Sequence, residues 1–356
     1  MPVTIKDVAR LAGVSPATVS LVLSNKGQVS EDTKRRVLEA VQKLGYRPNV
    51  LAQNLVKGRT NTVLLCAFIR EDRKLSTFYG ELINSLLTAI SLSGYYLQMV
   101  VKGEFFNGHP LDKREALLEI AKNRLFEGLV LLSHWPVQYA EVSDLVREKF
   151  PFVVVNQRVE GEGISYVDID HYGGAKKAVE YLVHQGHVRI AHIRGPREHR
   201  HAEERYRAYL DALVEHGIPV RREYILEGDF RRLSGRRAME ELLAVRPLPT
   251  AVFCANDKMA IGALQVAKER GIRVHEDLTI FGFDGIEAVK YTDPPIPTVE
   301  QPLGELGKMA AEILVKQIQG GEGKRVILGC NLLLWDGFLV KGDGKGEKTQ
   351  EGGRLR

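Results

Sequence analysis

Between residues 62 and 317, short apolar runs alternate with longer amphipathic segments, and this alternation restricts the fold more than any other feature of the sequence. A strand that is apolar along its whole length is covered on both faces, and strands that alternate with helices form parallel sheets. The body that carries this pattern, from residue 61 to about residue 340, has about 280 residues, which suits two doubly wound lobes. We therefore predict an α/β body in which a ligand lies between the lobes, outside the carboxyl ends of the strands.

The two kinds of segment differ in their period. The apolar runs that we predict to be strands are Thr62–Ile69, Tyr96–Val101, Gly128–Leu132, Phe152–Val155, Arg189–Ile193, Ala251–Cys254 and Leu278–Phe281. The amphipathic segments that we predict to be helices are Leu82–Leu92, Lys113–Lys122, Ala175–His184, Arg205–His216, Arg236–Leu243, Met259–Lys268 and Leu303–Gln317.

The first sixty residues differ from the rest of the chain in charge. They carry ten Lys and Arg residues against four Asp and Glu residues, whereas the remainder is close to neutral. A positive head on a near-neutral body indicates a polyanion-binding function, but basic surfaces are common on other proteins as well. Charge alone therefore leaves nucleic-acid binding and an ordinary basic surface as open alternatives.

Three short helices are predicted in this head. Thr4 begins the first, with Asp7 three positions later as its capping partner, and Gly13 ends it. Ser15 and Pro16 begin the second, because a Ser cap followed by Pro suits a first helical turn. The sequence Ser-Glu-Asp-Thr from residue 30 opens the third. This pattern is typical of a helix-turn-helix unit, and a small helical bundle of another kind is the alternative.

Four stretches of the head are more specific than its helix pattern. They read Thr-Ile-Lys-Asp-Val-Ala from residue 4, Gly-Val-Ser from residue 13, Ala-Thr-Val-Ser from residue 17 and Gly-Tyr-Arg-Pro-Asn from residue 45. In this order they resemble the lactose/galactose repressor (LacI/GalR) family of transcriptional regulators. The resemblance continues through the body, in the spaced signatures Val167-Asp168-Ile169-Asp170, Gly186-His187, Gly195-Pro196, Gly228-Asp229-Phe230, Ala255-Asn256-Asp257, Phe281-Gly282-Phe283-Asp284 and Gln301-Pro302.

The resemblance implies an all-α helix-turn-helix head and an α/β body of two doubly wound parallel-sheet lobes, of the type I periplasmic-binding-protein kind. The implied domains are 1–48 for the helix-turn-helix, 49–61 for a hinge helix and linker, 62–340 for the effector-binding and dimerisation body, and 341–356 for a tail expected to be disordered. The implied function is that of a transcriptional regulator, expected to be a repressor, whose operator affinity a small-molecule effector controls.

The resemblance also implies which partners the chain binds. They are double-stranded operator DNA, a second copy of the chain in a homodimer, and a small-molecule effector such as a sugar or sugar phosphate. A protein corepressor is a further partner to consider. In the dimer, two heads would bind two half-sites of a near-palindromic operator.

In the family, the second helix enters the major groove, and a leucine of the hinge helix wedges between base pairs in the minor groove. By position, the implied DNA contacts are Thr4, Lys6, Ser15, Pro16, Ala17, Thr18, Leu21, Asn25, Asn49, Ala52 and Leu55, with Leu55 as the wedge. A hinge helix of about eight residues is marginal in water by itself. We therefore expect it to depend on a partner.

Leu21 departs from the family, because many members carry a long polar or basic residue at this position. A leucine cannot donate to guanine but can contact a thymine methyl group. Pro16 and Ala17 also lack side-chain donors. Direct readout of the bases would then depend on Ser15, Thr18, Asn25 and apolar contacts. The sequence-dependent shape of the DNA would contribute more to specificity.

The effector contacts are implied in the same way, position by position. Arg205 matches an arginine that grips ligand hydroxyls or carboxylates, for which a planar guanidinium is suited; a surface salt bridge is the alternative role. Phe230 matches an aromatic residue that stacks on the ligand ring. The implied set is Phe78, Tyr79, Asp170, Arg205, Phe230, Asn256 and Asp284, with the alignment loose at the first two.

The loop before Arg205 carries Arg197, His199, Arg200 and His201, where family members are usually less basic. We hypothesise that this loop favours an anionic effector, such as a sugar phosphate or a sugar acid. A charged loop that is merely solvated is the alternative.

The sequence holds none of the motifs that mark common catalytic sites on doubly wound folds. It has no Gly-x-Gly-x-x-Gly after a strand, no P-loop, no nucleophile elbow and no helical pair of zinc-binding histidines. We therefore expect no enzyme activity, no cofactor and no metal. A sugar-binding transport protein would share the body, but it would need an export signal and no basic head.

The three cysteines, Cys66, Cys254 and Cys330, are far apart and lie in apolar segments. They are predicted to be buried thiols in a reducing compartment rather than a disulfide framework. Because the sequence has no apolar run of about 18 residues and no signal core, we expect a cytoplasmic protein that is associated with the nucleoid when bound to operator. The tail lacks apolar heptads, which favours a dimer over a tetramer.

Overall fold

The computed structural model describes residues 3–23, 29–46, 60–68, 77–101, 105–106, 109–110, 114–123, 125–133 and 137–335. The chain separates into two units, Met1–Asn61 and Thr62–Arg356. The first is helical and the second is α/β. Most of the predicted hinge (residues 49–59) and the whole predicted tail (residues 341–356) lie outside the described residues.

The described part of the helical unit consists of α1 (Ile5–Ala12), α2 (Pro16–Leu23) and α3 (Glu31–Leu44). Their apolar faces enclose a small core, in which Val8, Val19 and Val37 have no exposed surface. Gly13 ends α1 with a φ of 65°, in the left-handed region that glycine adopts without steric cost. The three helices predicted from the sequence are confirmed.

The body begins with β1 and alternates strands with helices. Its helices are α4 (Thr77–Leu92), α5 (Arg114–Asn123), α6 (Tyr139–Arg147), α7 (His171–His184), α8 (Arg200–Glu215), α9 (Arg232–Ala244), α10 (Asp257–Glu269) and α11 (Leu303–Ile318), with 3-10 turns at Arg222–Tyr224 and Glu287–Tyr291. Its strands are β1 (Thr62–Phe68), β2 (Tyr96–Val101), β3 (Phe105–Phe106), β4 (His109–Pro110), β5 (Gly128–Ser133), β6 (Phe152–Val155), β7 (Tyr166–Ile169), β8 (Ile190–Arg194), β9 (Ile225–Glu227), β10 (Ala251–Cys254), β11 (Thr279–Asp284), β12 (Thr298–Glu300), β13 (Arg325–Leu328) and β14 (Asn331–Leu333).

Two six-stranded sheets organise the described part of the body. The first has the order β13-β7-β6-β5-β1-β2 and is parallel throughout. The second has the order β14-β12-β11-β10-β8-β9 and is parallel except for the antiparallel pair β12–β14. Helix α11 packs on the first sheet, and helices α7 to α10 pack on the second. The predicted pair of parallel-sheet lobes is therefore confirmed.

The chain passes between the lobes three times. Strand β7 of the first lobe leads into α7 of the second, β12 of the second leads into α11 of the first, and β13 of the first leads into β14 of the second. Because the parallel strands of each sheet end at the same edge, the loops that follow them are gathered there. Candidate site residues are therefore expected at these carboxyl edges.

His192 lies on β8 inside the second lobe and has no exposed surface. Its ring stacks on Tyr209 and Phe253 at centroid distances of 4.9 and 5.0 Å, and its Nδ1 lies 2.9 Å from the carbonyl oxygen of Phe253. Burial lowers the pKa of His192 to about 3, because the imidazolium ion would be desolvated. The folded lobe therefore excludes a proton that the unfolded chain accepts.

This neutral histidine predicts a pH dependence of stability. Between about pH 6.5 and about pH 3, the unfolded chain binds a proton at His192 that the folded chain does not, so the free energy of unfolding falls as the pH falls. The contribution is about 1.4 kcal/mol per pH unit. In His192→Phe, urea titrations between about pH 6 and about pH 4 are expected to show a shallower decline. An unchanged slope would contradict a neutral buried ring.

Candidate functional site

The exposed start of α2 is the predicted DNA-reading surface. Oγ of Ser15 accepts a hydrogen bond from the N–H of Thr18 at 3.1 Å and lies 2.9 Å from Oγ1 of Thr18, so Ser15 caps the helix. Pro16 and Ala17 are exposed, and Leu21 is 43% exposed. The leading end of α2 is therefore uncharged and small, a shape that suits insertion into a groove.

Thr4 and Lys6, at the start of α1, are also exposed. The N–H and the Oγ1 of Thr4 both donate to Oδ2 of Asp7, at 3.0 and 2.7 Å. These hydrogen bonds hold the pKa of Asp7 below its ordinary value. The remaining predicted DNA contacts lie outside the described residues: Asn25, Asn49, Ala52 and Leu55.

Three residues that end a body strand or closely follow one have positive φ angles, which residues other than glycine rarely adopt. Asn156 follows β6 with a φ of 61°, Phe230 follows β9 with a φ of 66°, and Asp284 ends β11 with a φ of 130°. Such strain persists only where the surrounding structure holds it, and it concentrates at ligand sites. These conformations mark the carboxyl edges of both sheets as the candidate effector site.

Arg205 lies on α8, is 4% exposed and contacts several elements of the second lobe. Its Nη1 donates to the carbonyl oxygen of Ala255 and lies 3.6 Å from Oδ1 of Asp284, while its Nη2 donates to Nδ1 of His171 at 3.1 Å. The guanidinium also lies over the ring of Phe283, 3.8 Å from its centroid. Burial lowers the pKa of Arg205. This burial excludes the alternative of a surface salt bridge.

Asp284 and Asn256 lie beside Arg205. Oδ1 of Asp284 accepts a hydrogen bond from Nε2 of Gln301 at 2.8 Å, and burial raises the pKa of Asp284 above its ordinary value. Asn256 caps α10, and its Nδ2 donates to the carbonyl oxygen of Phe230 at 3.1 Å. The structure thus brings together four of the predicted effector residues, Arg205, Phe230, Asn256 and Asp284.

The other predicted effector residues are placed differently. Asp170 caps α7, and its Oδ1 accepts the N–H of Gly173 at 2.8 Å, so that oxygen serves the helix. Tyr79 is 7% exposed and packs in the apolar core instead of forming an open wall of the cleft. The side chain of Phe78 lies outside the described residues.

The basic loop before Arg205 is already paired with carboxylates of the protein. Arg197 donates to Glu227 at 2.8 Å, and Arg200 donates to Asp168 at 2.7 Å and to Glu204 at 3.2 Å. These ion pairs compensate the charges on which the hypothesis of an anionic effector was based. An anionic group would have to compete with these carboxylates, and the hypothesis stays a prediction.

His171 and His201 pack against each other in the same cluster, with ring centroids 3.9 Å apart, and both are buried. Nδ1 of His171 lies 3.1 Å from a guanidinium nitrogen of Arg205, and Nε2 of His201 lies 3.1 Å from one of Arg200. A guanidinium group only donates, so both ring nitrogens accept, and each neutral ring carries its proton on the other nitrogen. Burial agrees with this assignment, because it lowers the pKa of both rings well below their ordinary value.

Asp168, His171 and His201 each present an atom within 4.8 Å of the other two, which is a spacing that a metal ion could use. Their surroundings do not fit a metal ion. A histidine ligand coordinates through one ring nitrogen and donates its proton from the other. In His171 that proton would point at an N–H of Arg205, and in His201 the Nε2 near Asp168 already accepts from Arg200. The neighbouring arginines would also repel a cation.

Asp168, His171 and Gln301 are not among the site residues predicted from the sequence, although the structure places all three in the cluster. A charged residue within an apolar strand is rarely buried without a partner. Asp168 lies between Val167 and Ile169 on β7, and this interruption is the signal that could have identified it.

Each unit matches a family model. Residues 4–49 match bacterial regulatory proteins of the lacI family, and residues 179–330 match a periplasmic binding protein-like domain. Among curated proteins, the HTH-type transcriptional repressor CytR of Escherichia coli is 35% identical over 334 residues, which cover 93% of this chain and 95% of that protein. The probable HTH-type transcriptional repressor ExuR of Bacillus subtilis is 33% identical over 322 residues, which cover 90% and 93%.

Solved structures of similar proteins cover both units as well. The Lac repressor dimer bound to operator and the anti-inducer ONPF superposes with a TM-score of 0.76 at 26% identity, covering 93% of this chain and 98% of that chain. The complex of the transcriptional regulator CelR with cellobiose superposes with a TM-score of 0.67 at 33% identity, with the same coverage. Within the described part of the chain, no helix is both long and apolar enough to cross a membrane.

Proposed function

The chain belongs to the LacI family of bacterial regulatory proteins and is a DNA-binding transcriptional repressor rather than an enzyme, and we propose that a sugar or sugar derivative bound between its lobes controls its affinity for operator DNA. The observation that carries this proposal is the buried Arg205, which contacts Asp284 and the carbonyl oxygen of Ala255 at the carboxyl edge of the second lobe, where the next residue, Asn256, donates to the carbonyl oxygen of Phe230. Four side chains predicted to bind an effector thus lie in one place.

A hydroxylated ligand suits this site because a hydroxyl group both donates and accepts hydrogen bonds. Asp284 offers a carboxylate and Arg205 offers guanidinium N–H groups, and the ring of Phe230 packs edge-on against His199 of the loop before Arg205. The complex of the similar regulator CelR with cellobiose supports a sugar as the class of ligand. A neutral sugar would also leave intact the ion pairs of the loop that contains Arg197 and Arg200.

Control of DNA binding requires the effector to prefer one arrangement of the lobes. A ligand shifts a conformational equilibrium only by its difference in affinity for the two states, typically about 1–3 kcal/mol for a coupled pair of sites. We propose that the chain acts as a homodimer in the cytoplasm, with domains 1–48, 49–61, 62–340 and 341–356 as the sequence predicts. Neither the described surface nor the comparisons support a protein corepressor, and none is included.

The experiment that tests the repressor function is a selection of duplexes from a genomic library with the full-length chain at physiological salt. We expect enrichment of near-palindromic sites, with an affinity that falls steeply as salt rises. Enrichment of no sequence, with or without candidate sugars, would contradict the proposal. A body truncated before Thr62 should show no enrichment and serves as the control.

The class of effector is tested by calorimetric titration of the full-length chain. Neutral sugars and their acid and phosphate counterparts are compared under the same conditions. We expect at least one neutral sugar to bind. Binding of only the acid or phosphate forms would replace the neutral sugar with the anionic effector hypothesised from the loop.

A further inference from the structure

Only one of the two carboxylate oxygens of Asp168 accepts hydrogen bonds from the described residues. Asp168 lies on β7 of the first lobe with no exposed surface. Its Oδ2 accepts hydrogen bonds from Nε of Arg158 at 2.9 Å and from Nη2 of Arg200 at 2.7 Å. Among the described residues, none donates a hydrogen bond to its Oδ1, and Nε2 of His201, 3.9 Å from it, carries no proton because it accepts from Arg200.

His171, at the start of α7 in the second lobe, lies close to this carboxylate. Its Nδ1 accepts a hydrogen bond from Arg205, so the proton is on Nε2. That N–H is buried and has no acceptor among the described residues. A ring nitrogen of His171 lies within 4.8 Å of a carboxylate oxygen of Asp168. A buried acceptor and a buried donor, both without partners in the described chain, are thus close to each other.

Leaving such groups unpaired is costly, since buried polar atoms are nearly always hydrogen-bonded. We propose that Asp168 and His171 together bind one hydroxyl group of the effector, which donates to Oδ1 of Asp168 and accepts from Nε2 of His171. This inference rests on the proposed function and assigns a contact to two residues outside the predicted set.

The chemistry of the pair selects the group that it binds. A carboxylate or a fully ionised phosphate has no hydrogen to donate to Oδ1. An ammonium group can donate to Asp168 but cannot accept from His171. A hydroxyl group does both, so this corner of the cleft is specific for a hydroxyl whatever charge the effector carries elsewhere.

The same carboxylate joins the two lobes. Arg158 lies in the first lobe and Arg200 on α8 of the second, and both donate to Oδ2 of Asp168. A hydroxyl on Oδ1 therefore contacts the group that already fixes the distance between the lobes. Binding at this corner thereby becomes sensitive to lobe arrangement, which is the property that a regulatory ligand needs.

The first test uses the protein without ligand, so it does not depend on the identity of the effector. Nitrogen-15 NMR of labelled histidines at pH 7.5 should show His171 as the neutral tautomer protonated on Nε2 and His201 as the neutral tautomer protonated on Nδ1. Single histidine substitutions assign the signals. A proton on Nδ1 of His171, or a charged ring, would overturn the proposal because no donor would face Asp168.

The second test compares two isosteric variants in calorimetry with D-glucose, D-galactose, D-ribose, cellobiose and D-glucuronate. In Asp168→Asn, the two arginines hold the amide oxygen, so the amide N–H₂ takes the place of Oδ1 and cannot accept. We expect the tightest-binding sugar to lose about tenfold to a hundredfold in affinity. The control is Asp144→Asn, because Asp144 is also buried in the first lobe and pairs with two arginines, Arg114 and Arg147. It should bind that sugar as the parent chain does.

Monodeoxy analogues of the same sugar identify the hydroxyl. One analogue should bind the parent chain more weakly than the sugar itself, yet bind Asp168→Asn no more weakly than the sugar does. The proposal would be overturned if Asp168→Asn and Asp144→Asn lost equal affinity for the sugar. It would also be overturned if no deoxy analogue bound the parent chain more weakly than the sugar while binding Asp168→Asn as well as the sugar does. Failure of all five sugars to bind the parent chain would count against a sugar as the effector. The NMR result would still show whether His171 carries the donor that the proposed contact with Asp168 requires.

Discussion

Replacing Arg205 by alanine is expected to abolish the response to effector while operator binding persists. The guanidinium is 4% exposed and holds Ala255, His171 and Asp284 together. Its loss removes a buried, charged donor from the proposed effector site, and truncating one partner of a buried, hydrogen-bonded charge pair in a binding interface costs about 2–5 kcal/mol of affinity. Effector affinity should therefore fall by about a hundredfold.

Calorimetry measures the effector affinity, and fluorescence anisotropy on a labelled operator measures DNA binding in the same preparation. The matched control is Arg189→Ala, because Arg189 is half-buried in the same lobe and donates to the carbonyl oxygen of Leu248 at 2.9 Å. It should retain both activities. Arg205→Lys, which keeps the charge, should lose less affinity than Arg205→Ala. Unchanged effector affinity in Arg205→Ala, or an equal loss in the control, would refute this role.

The second large effect is expected in the head, where Ala17→Glu should reduce operator affinity by at least about a hundredfold. Ala17 is exposed in the first turn of α2, so the new side chain meets no core residue. A carboxylate in a first turn is favourable for the helix. In the complex the same charge faces phosphates and base acceptors, and like charges brought together across an interface cost several kcal/mol. The dimer carries the change twice.

Anisotropy with the selected operator checks this result, and thermal unfolding shows whether the head remains folded. Gln42→Glu changes the net charge by the same amount on the exposed side of α3 and should weaken binding far less. If both variants lose affinity equally, the effect is one of net charge, and α2 is not the reading helix.

The sequence predicts the layers of the body well because buried parallel strands are apolar throughout. The buried strands at Phe152–Val155 and Ala251–Cys254 have the bounds predicted for them, and so does the partly exposed edge strand at Tyr96–Val101. By contrast, β7 has an aspartate inside an otherwise apolar run, so periodicity does not reveal it as a strand. The clearest pattern thus belongs to strands that only pack, and the weakest to a strand that also contributes a charged group.

In the second lobe, hydrophobic periodicity also fails to detect the polar first turns of two helices. From their apolar period, α7 and α8 were predicted to begin at Ala175 and Arg205, whereas they begin at His171 and Arg200. Their first turns lack the apolar spacing of a helix, so hydrophobic periodicity does not detect them. Those turns hold His171, Arg200 and His201, which the structure brings into the site.

The candidate site was only partly predictable because some of its contacts join residues that are far apart in the sequence. Arg205, Phe230, Asn256 and Asp284 followed from the resemblance, and the structure brings them together. The pairing of Arg200 with Asp168 joins residues that are far apart in sequence and in different lobes. Nothing local in the chain fixes such a pair, because it depends on how the two sheets are placed by the three crossings between them.

The last two strands have a consequence for synthesis and proteolysis. Strand β13 completes the edge of the first sheet and β14 completes the edge of the second, and both are formed by residues 325–333. A chain emerging from the ribosome therefore cannot finish either lobe until these residues are free of the exit tunnel. A premature stop or a carboxyl-terminal nick upstream of them would damage both halves of the body at once, so truncated products should be degraded rather than persist as separate working lobes.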